Sequence, residues 1–548
     1  MGKIHFKDTG ITMDVQDGVT LAECIRQAGL AIETPCNCIG KCGKCRVFAV
    51  GEMDSPSSEE RILLKGETHT RLACMAHVHG NVEVQLIQEP DFLKTINLGF
   101  SKIFKVNSDT VRRILPDSNG HGSHEAVFYK DIFLGSSDSG NILLGVAVDI
   151  GTTGISVYLV DLEHGEILSR QSSLNPQTQF GSDVLSRISY AMNHADGAET
   201  LKKSVVDKIN ALVDDLIESG NFGGHRSSIY RMTLSGNTTM LHFVTGHDTA
   251  SIARAPYTPV FIERMDIPAH ELGISIHRNG IVTLLPSASG YVGADILAGV
   301  VATAFDEKEH SALFIDIGTN GEIVAHNGVK LAATSTAAGP ALEGMNISCG
   351  CRAEAGAIDS FRIDEDFNLH WTTIGDHPPK GICGSGLIDL MACMVQKEIV
   401  LPGGKLNPHV DERIFGRIQD KKFRITDAIS LSQKDIRQIQ LAKGAIAAGI
   451  SMVLEQIDIS IEDVQEAVIA GSFGYHINPD SLLEIGLIPK GFRGRIAFVG
   501  NASVEGARMA LLNKVALERM ESLQKSISIL ELSTSGQFQD YFVKALGF

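Results

Sequence analysis

Two groups of residues in this chain have types and spacings that can do chemistry. The first is the run Cys36-Asn-Cys38-Ile-Gly-Lys-Cys42-Gly-Lys-Cys45, with Cys74 following 29 positions later. Cys36, Cys42 and Cys45 are separated by five and then two residues. That is close to the plant-type spacing that holds a [2Fe–2S] cluster with one distant fourth cysteine. Gly40 and Gly43 let main-chain N–H groups approach the bridging sulfides. A structural zinc site would show two C-x2-C pairs, and only Cys42/Cys45 makes one. A Rieske centre needs histidines in its ligand motifs, and Cys74-x2-His77 has no Cys-x-His counterpart. Cys38 is the extra member of the loop and can stand in for Cys36 at a shorter spacing. Cys24 falls in an expected helix and reads as a small core residue.

The second group is a repeated turn. Asp149-Ile-Gly-Thr-Thr returns 167 positions later as Asp316-Ile-Gly-Thr-Asn. In each copy an apolar strand carries an acid into a tight turn. Gly151 and Gly318 permit the turn, and Thr152, Thr153, Thr319 and Asn320 offer hydroxyl, amide and main-chain N–H groups to phosphate oxygens. Asp149 and Asp316 would hold Mg²⁺ through its waters, because that ion keeps much of its hydration shell. A lone copy is equally an ordinary hairpin; two copies at domain-sized separation are two facing jaws. Gly471, Ser472, Phe473 and Gly474 follow another apolar strand and let the backbone approach a flat ring such as adenine. Glu322, six residues past Asp316, is a candidate for orienting water and equally a solvated strand residue. Ser235-Gly-Asn-Thr-Thr is a further polar turn, or a plain loop. Cys349, Cys351, Cys383 and Cys393 read as small buried or cleft thiols.

These groups need elements to hold them. Residues 1–89 show two short strands, a helix opening at the capping pair Thr20/Glu23, the cysteine loop, and closing strands, an order expected for a β-grasp. Residues 90–143 have no sustained period and carry two Gly/Ser clusters, which predicts a linker. From 144 to 548, apolar strands alternate with helices, including expected helices over 199–219, 432–457 and 502–522, so the class is layered α/β. The chain has 548 residues and a formal net charge of −17, a balance that argues against a nucleic-acid or anionic-membrane binder. The longest apolar run, 441–454, contains Lys443, and the start MGKIHFKDTG has no apolar leader. A cytoplasmic protein with reduced thiols is the expectation, and six cysteines within the first 74 residues then read as a metal site rather than disulfides.

The ordered set D-I-G-T-T, Y-V-G-A-D-I-L-A-G-V, D-I-G-T-N-G-E, A-G-S-F-G and G-N-A-S-V-E-G-A-R-M-A-L-L resembles the sugar kinase–Hsp70–actin superfamily over residues 144–548. The resemblance implies two ribonuclease-H-like lobes with ATP and Mg²⁺ between them. Joined to a ferredoxin-like unit, and with N-I-S-C-G-C-R-A-E-A-G-A-I-D and G-I-C-G-S-G-L-I-D-L between the later motifs, the whole chain resembles the reductive activators of corrinoid proteins. Such activators use ATP to return cob(II)alamin to cob(I)alamin for anaerobic methyl transfer. The likeness implies a corrinoid protein as partner, a low-potential electron donor upstream, and a homodimer. Two departures stand out: Cys38, and the short 91–143 segment where some relatives carry a larger middle domain. Other readings of the same residues are a small-molecule kinase with a redox-sensing ferredoxin unit, and an electron carrier whose nucleotide half only binds. The activators of 2-hydroxyacyl-CoA dehydratases share the ATPase fold but hold a [4Fe–4S] cluster between two subunits.

Overall fold

The computed structural model describes residues 2–28, 30, 32, 38, 40, 45–64, 69–86, 104–116, 123–137, 142–220, 225–471 and 477–548. The N-terminal unit is a β-grasp. Strands β1 (Gly2–Phe6), β2 (Thr12–Val15), β3 (Arg46–Met53), β4 (Thr70–Leu72) and β5 (Val78–Leu86) form a sheet in the order β2-β1-β5-β3-β4, with β1 and β5 parallel. Alternation along β1 buries Ile4 and Phe6. They meet Leu21, Cys24 and Ile25 of the helix Leu21–Gln27 in one core. Thr20 caps that helix, its hydroxyl accepting from Glu23 N at 3.3 Å. The polar stretch after β3 holds a helix, Ser58–Leu64, that lacks an apolar stripe. A buried ion pair anchors it instead: Glu60 lies 2.9 Å from Arg71 and also accepts from Leu72 N at 2.7 Å.

The expected linker is not structureless. Within it, β6 (Thr110–Pro116), β7 (Ser123–Tyr129) and β8 (Ile132–Ser137) make an antiparallel meander. One part packs on the next domain. The Arg231 guanidinium stacks 3.4 Å from the centre of the Tyr129 ring, and the Tyr129 hydroxyl donates to Asp266 at 2.9 Å. Ile114, Ile132 and Phe133 stay exposed, so no clean alternation marks these strands in the sequence.

Two six-stranded sheets follow that share a five-stranded order and differ in where the sixth strand adds. In the first lobe, β9 (Leu144–Ile150), β10 (Gly154–Asp161), β11 (Ile167–Leu174), β12 (Ile229–Gly236), β13 (Met265–Pro268) and β14 (Ile281–Leu284) run β11-β10-β9-β12-β14-β13. The second lobe begins with β15 (Ser311–Ile317), β16 (Gly321–Asn327) and β17 (Leu331–Thr336). It then inserts two small sheets: β18 (Ala357–Ile363), β19 (Leu369–Thr373) and β20 (Gly381–Ile382), and β21 (Ile418–Gln419), β22 (Lys422–Arg424) and β23 (Ser430–Ser432). It closes with β24 (Glu466–Ala470), β25 (Arg495–Gly500) and β26 (Ser528–Ile529), giving β25-β24-β15-β16-β17-β26. β9 and β15 each pair antiparallel on one side and parallel on the other, so each acid-bearing strand is central in its sheet.

The helices Ala294–Ala302 and Ala502–Leu512 cross between the lobes. Their small residues permit this: a Cβ on Gly506 would sit 2.2 Å from the Ala298 carbonyl oxygen. The single helix expected over 502–522 is two helices, broken at Asn513. Asn107 splits them, accepting from Lys514 N and donating to Leu512 O, while the Asn513 side chain caps the second helix. Among the described residues, no helix is long and apolar enough to cross a membrane.

Candidate functional site: an acid-lined cleft and a cysteine pair

The two turns face each other across a cavity of about 200 Å³. Asp149, Gly151, Thr152 and Thr153 enter it from the end of β9, and Asp316, Gly318, Thr319, Asn320 and Glu322 from β15 and β16. The Thr153 and Thr319 hydroxyls are 3.4 Å apart, so the jaws touch through their threonines. Gly151 is needed for close approach, since a Cβ there would lie 2.8 Å from Gly154 O; Gly318 has room for one. Gly471 also lines the cleft, with φ +110° and Ile317 O only 2.5 Å from where its Cβ would be. Ser472, Phe473 and Gly474 lie outside the described residues.

Asp149 is held by the connecting helix: Ser503 Oγ donates to it at 2.7 Å and Asn501 Nδ2 at 2.8 Å. Burial raises its pKa and those two donors oppose the rise. Asp316 is pushed to about 7 by burial, with the charges of Asp149 and Glu343 adding. Glu322 sits opposite Asp316 in the β15–β16 pair and accepts from Ser335 Oγ at 3.1 Å. It is therefore a cleft residue rather than a solvated one, and burial together with Asp295 and Asp316 holds it well above the usual carboxylate range. The polar turn after β12 also reaches the site: Asn237 caps the helix Thr238–Thr245 and donates to Thr152 Oγ1 at 3.0 Å.

Sequence reasoning missed several members. Asp295, in the first turn of a helix otherwise apolar, lines the cleft, and burial with Asp149 and Asp316 lifts it to about 8. An acid inside the Y-V-G-A-D run was the available signal. Glu343 and Arg352 line the cleft as well. Glu343 stands on the turn Pro340–Glu343 and accepts from Thr319 Oγ1 at 2.8 Å. Glu343 lies in none of the segments singled out, and Arg352 is the cation inside N-I-S-C-G-C-R. Clustered acids that raise one another's pKa fit a bound cation, which would relieve them all.

In the β-grasp unit, Cys45 and Cys74 are buried with their Sγ atoms 3.3 Å apart. Two thiolates on one tetrahedral metal ion at bonds of about 2.3 Å sit about 3.8 Å apart, so this pair would open by about half an ångström to share one. Cys36 and Cys42 lie outside the described residues. The Cys38 Sγ accepts from the Arg26 guanidinium at 3.3 Å, and the same guanidinium donates to the Gln179 carbonyl of the first lobe at 3.0 Å. Cys24 is fully buried, and burial takes its thiol to about 11. Of the later thiols, Cys383 lines the cleft and donates to Ile358 O at 3.2 Å. Cys349 and Cys393 lie 3.8 Å and 3.7 Å from main-chain carbonyl oxygens.

Comparison with known proteins agrees with this division. A model of the 2Fe-2S iron-sulfur cluster binding domain matches residues 4–79. The RACo middle region matches 144–308, and the C-terminal domain of RACo, the ASKHA domain, matches 310–548. The chain is 28% identical to the corrinoid activation enzyme RamQ of Eubacterium limosum, across 97% of this chain and 96% of that one. It is 25% identical to a [Co(II) methylated amine-specific corrinoid protein] reductase of Methanosarcina barkeri, over 74% of this chain and 77% of that one. A solved structure of a reductive activator for corrinoid,iron-sulfur protein superposes with a TM-score of 0.73 at 29% identity, covering 100% of this chain and 98% of the other. With a [2Fe–2S] domain ahead of a RACo middle region and an ATP- and Mg²⁺-binding ASKHA domain, the chain belongs to the RACo family of reductive activators.

Proposed function

We infer that this chain is an ATP-dependent activator that passes one electron to a corrinoid protein and returns cob(II)alamin to cob(I)alamin. The observation that carries the reading is one chain holding both a buried cysteine pair and a two-jawed acid cleft, linked by Arg26. The bound groups supply a one-electron carrier and charge neutralisation at phosphate; the residues do the rest. We assign Cys36, Cys42, Cys45 and Cys74 to the cluster, a set supported by the engagement of the Cys38 thiol with Arg26. Asp149 and Asp316 would position Mg²⁺ through water, Glu322 closes the acidic end, and Gly471 to Gly474 would face the adenine.

ATP is required because the electron runs uphill. Plant-type clusters sit near −400 mV, and the resemblance places the cobalt couple lower. Each 100 mV costs about 2.3 kcal/mol per electron. Binding can supply that work only if it differs between two states of the protein, and two jaws that meet through Thr153 and Thr319 are such an element. The corrinoid partner, a low-potential donor, a homodimeric assembly and a cytoplasmic setting complete the proposal. The test is anaerobic: cob(I)alamin absorbance of a corrinoid protein mixed with this chain and a reductant, with and without ATP. A yield that depends on ATP is expected, and equal final yields would refute it.

A further inference from the structure

One carboxylate of the cleft touches both jaws. Glu343 accepts from Thr319 Oγ1 at 2.8 Å, and Thr153 of the opposite turn also hydrogen-bonds to it. It is half-buried, so it is open to the cavity yet surrounded by protein. A second cavity of about 20 Å³ shares Thr153 and Arg352 with the cleft and is otherwise lined by Thr178, Ser182, Pro340, Met345 and Asn346. That is room for one water molecule with polar partners on several sides. Pro340 opens the same turn that ends in Glu343, and Thr153 and Arg352 border both cavities.

The surroundings of Glu343 and Glu322 differ in kind. Glu322 has Asp295 and Asp316 as its charged neighbours and one hydroxyl donor, Ser335. Those neighbours make it part of the acidic, cation-holding end of the cleft. Burial raises the pKa of the Glu343 carboxyl, and against that rise stand two donating threonine hydroxyls and the nearby Arg352 cation, each favouring the ionised form. Glu343 stands where the two turns meet, and a nucleotide gripped by both would bring its terminal phosphate there.

We propose that Glu343 is the catalytic residue that holds the attacking water and receives its proton when ATP is cleaved. The water oxygen forms a bond to the terminal phosphorus. The bond from that phosphorus to the bridging oxygen breaks, and its electron pair leaves with ADP. The proton passes to the Glu343 carboxylate and from there to the released phosphate, so no other reactant is needed. The proposal rests on the ATPase reading above.

The experiment is single-turnover and steady-state ATP hydrolysis by the full-length, cluster-loaded protein, with ATP affinity measured separately. Glu343→Gln keeps size and hydrogen bonding but cannot take a proton. It should lose about 10²- to 10³-fold in turnover, the range a general base supplies, with ATP affinity within about threefold of the unsubstituted protein. Glu343→Asp should recover part of that loss. Turnover of Glu343→Gln within about threefold of the parent would overturn the proposal, as would a parallel loss of affinity and turnover, which marks a strap between the jaws. The full loss falling on Glu322→Gln while Glu343→Gln stays active would also overturn it. If the unsubstituted protein cleaves no ATP, the ATPase reading has failed, a result separable from failure at Glu343.

Discussion

Raising the pH should weaken the nucleotide-free protein, and Asp295 and Asp316 set the size of the effect. An aspartate in the unfolded chain titrates near 3.9. In the fold, burial and neighbouring acids bring Asp295 to about 8 and Asp316 to about 7. Between those limits the native state keeps protons that the unfolded state has released, so stability falls as pH rises. Each group contributes about 1.4 kcal/mol per pH unit until its folded-state pKa is reached. From pH 6 to 8 the pair should remove about 4 kcal/mol. Mg²⁺ and ATP favour the ionised carboxylates, so in their presence the slope should flatten or reverse. The assay is urea unfolding followed by fluorescence of Trp371, the one tryptophan of the chain, which lies in the second lobe on β19. Asp295→Asn should lose about two thirds of the fall between pH 6 and 8. A midpoint unchanged or rising from pH 6 to 8 without nucleotide, or an undiminished slope in Asp295→Asn, would refute the reasoning.

Four other outcomes are expected. Ser503→Ala removes a hydrogen bond to the Asp149 carboxylate, worth about 1.5–3 kcal/mol; affinity for Mg²⁺–ATP should fall roughly tenfold or more in a titration. Gly506→Val forces side-chain atoms onto the Ala298 carbonyl and should cost at least about 1–3 kcal/mol, read as a lowered thermal midpoint with diminished ATP turnover. Cys42→Ser should abolish the rhombic spectroscopic signal of the reduced cluster after anaerobic reconstitution, whereas Cys38→Ser should retain it. Glu60→Gln removes one of the two carboxylates that hold the buried Arg71, leaving Asp54 at 3.2 Å, and should destabilise the β-grasp unit by about 1.5–3 kcal/mol, measured as earlier loss of cluster absorbance on heating.

The repeated turn was legible because its chemistry is contiguous: five residues carry the strand end, the acid and the phosphate cradle. The family-level layout was legible for the same reason, as was the Thr20 cap. Glu343, Arg352 and Asp295 were not. They stand alone in segments separated by tens of residues or more from the turns they join, and only the crossing of two sheets brings them to one cavity. The meander at 110–137 was hidden by its exposed Ile114, Ile132 and Phe133, which blur the two-residue period. The break at Asn513 depends on Asn107, some four hundred residues earlier, and no local propensity announces it.

Arg26 touches the cysteine loop and the first lobe at once. Gln179, which accepts from it, ends a short turn capped by Asn175. Asn175 in turn donates to Gly151 O through its side chain and to Thr153 O through its main chain, both at 2.8 Å. Arg187 grips the same region from the other side, reaching Thr152 O and Gly181 O. One guanidinium is thus the joint between two chemistries: whatever moves the backbone of the first nucleotide turn moves Gln179, and through Arg26 reaches the thiol of Cys38.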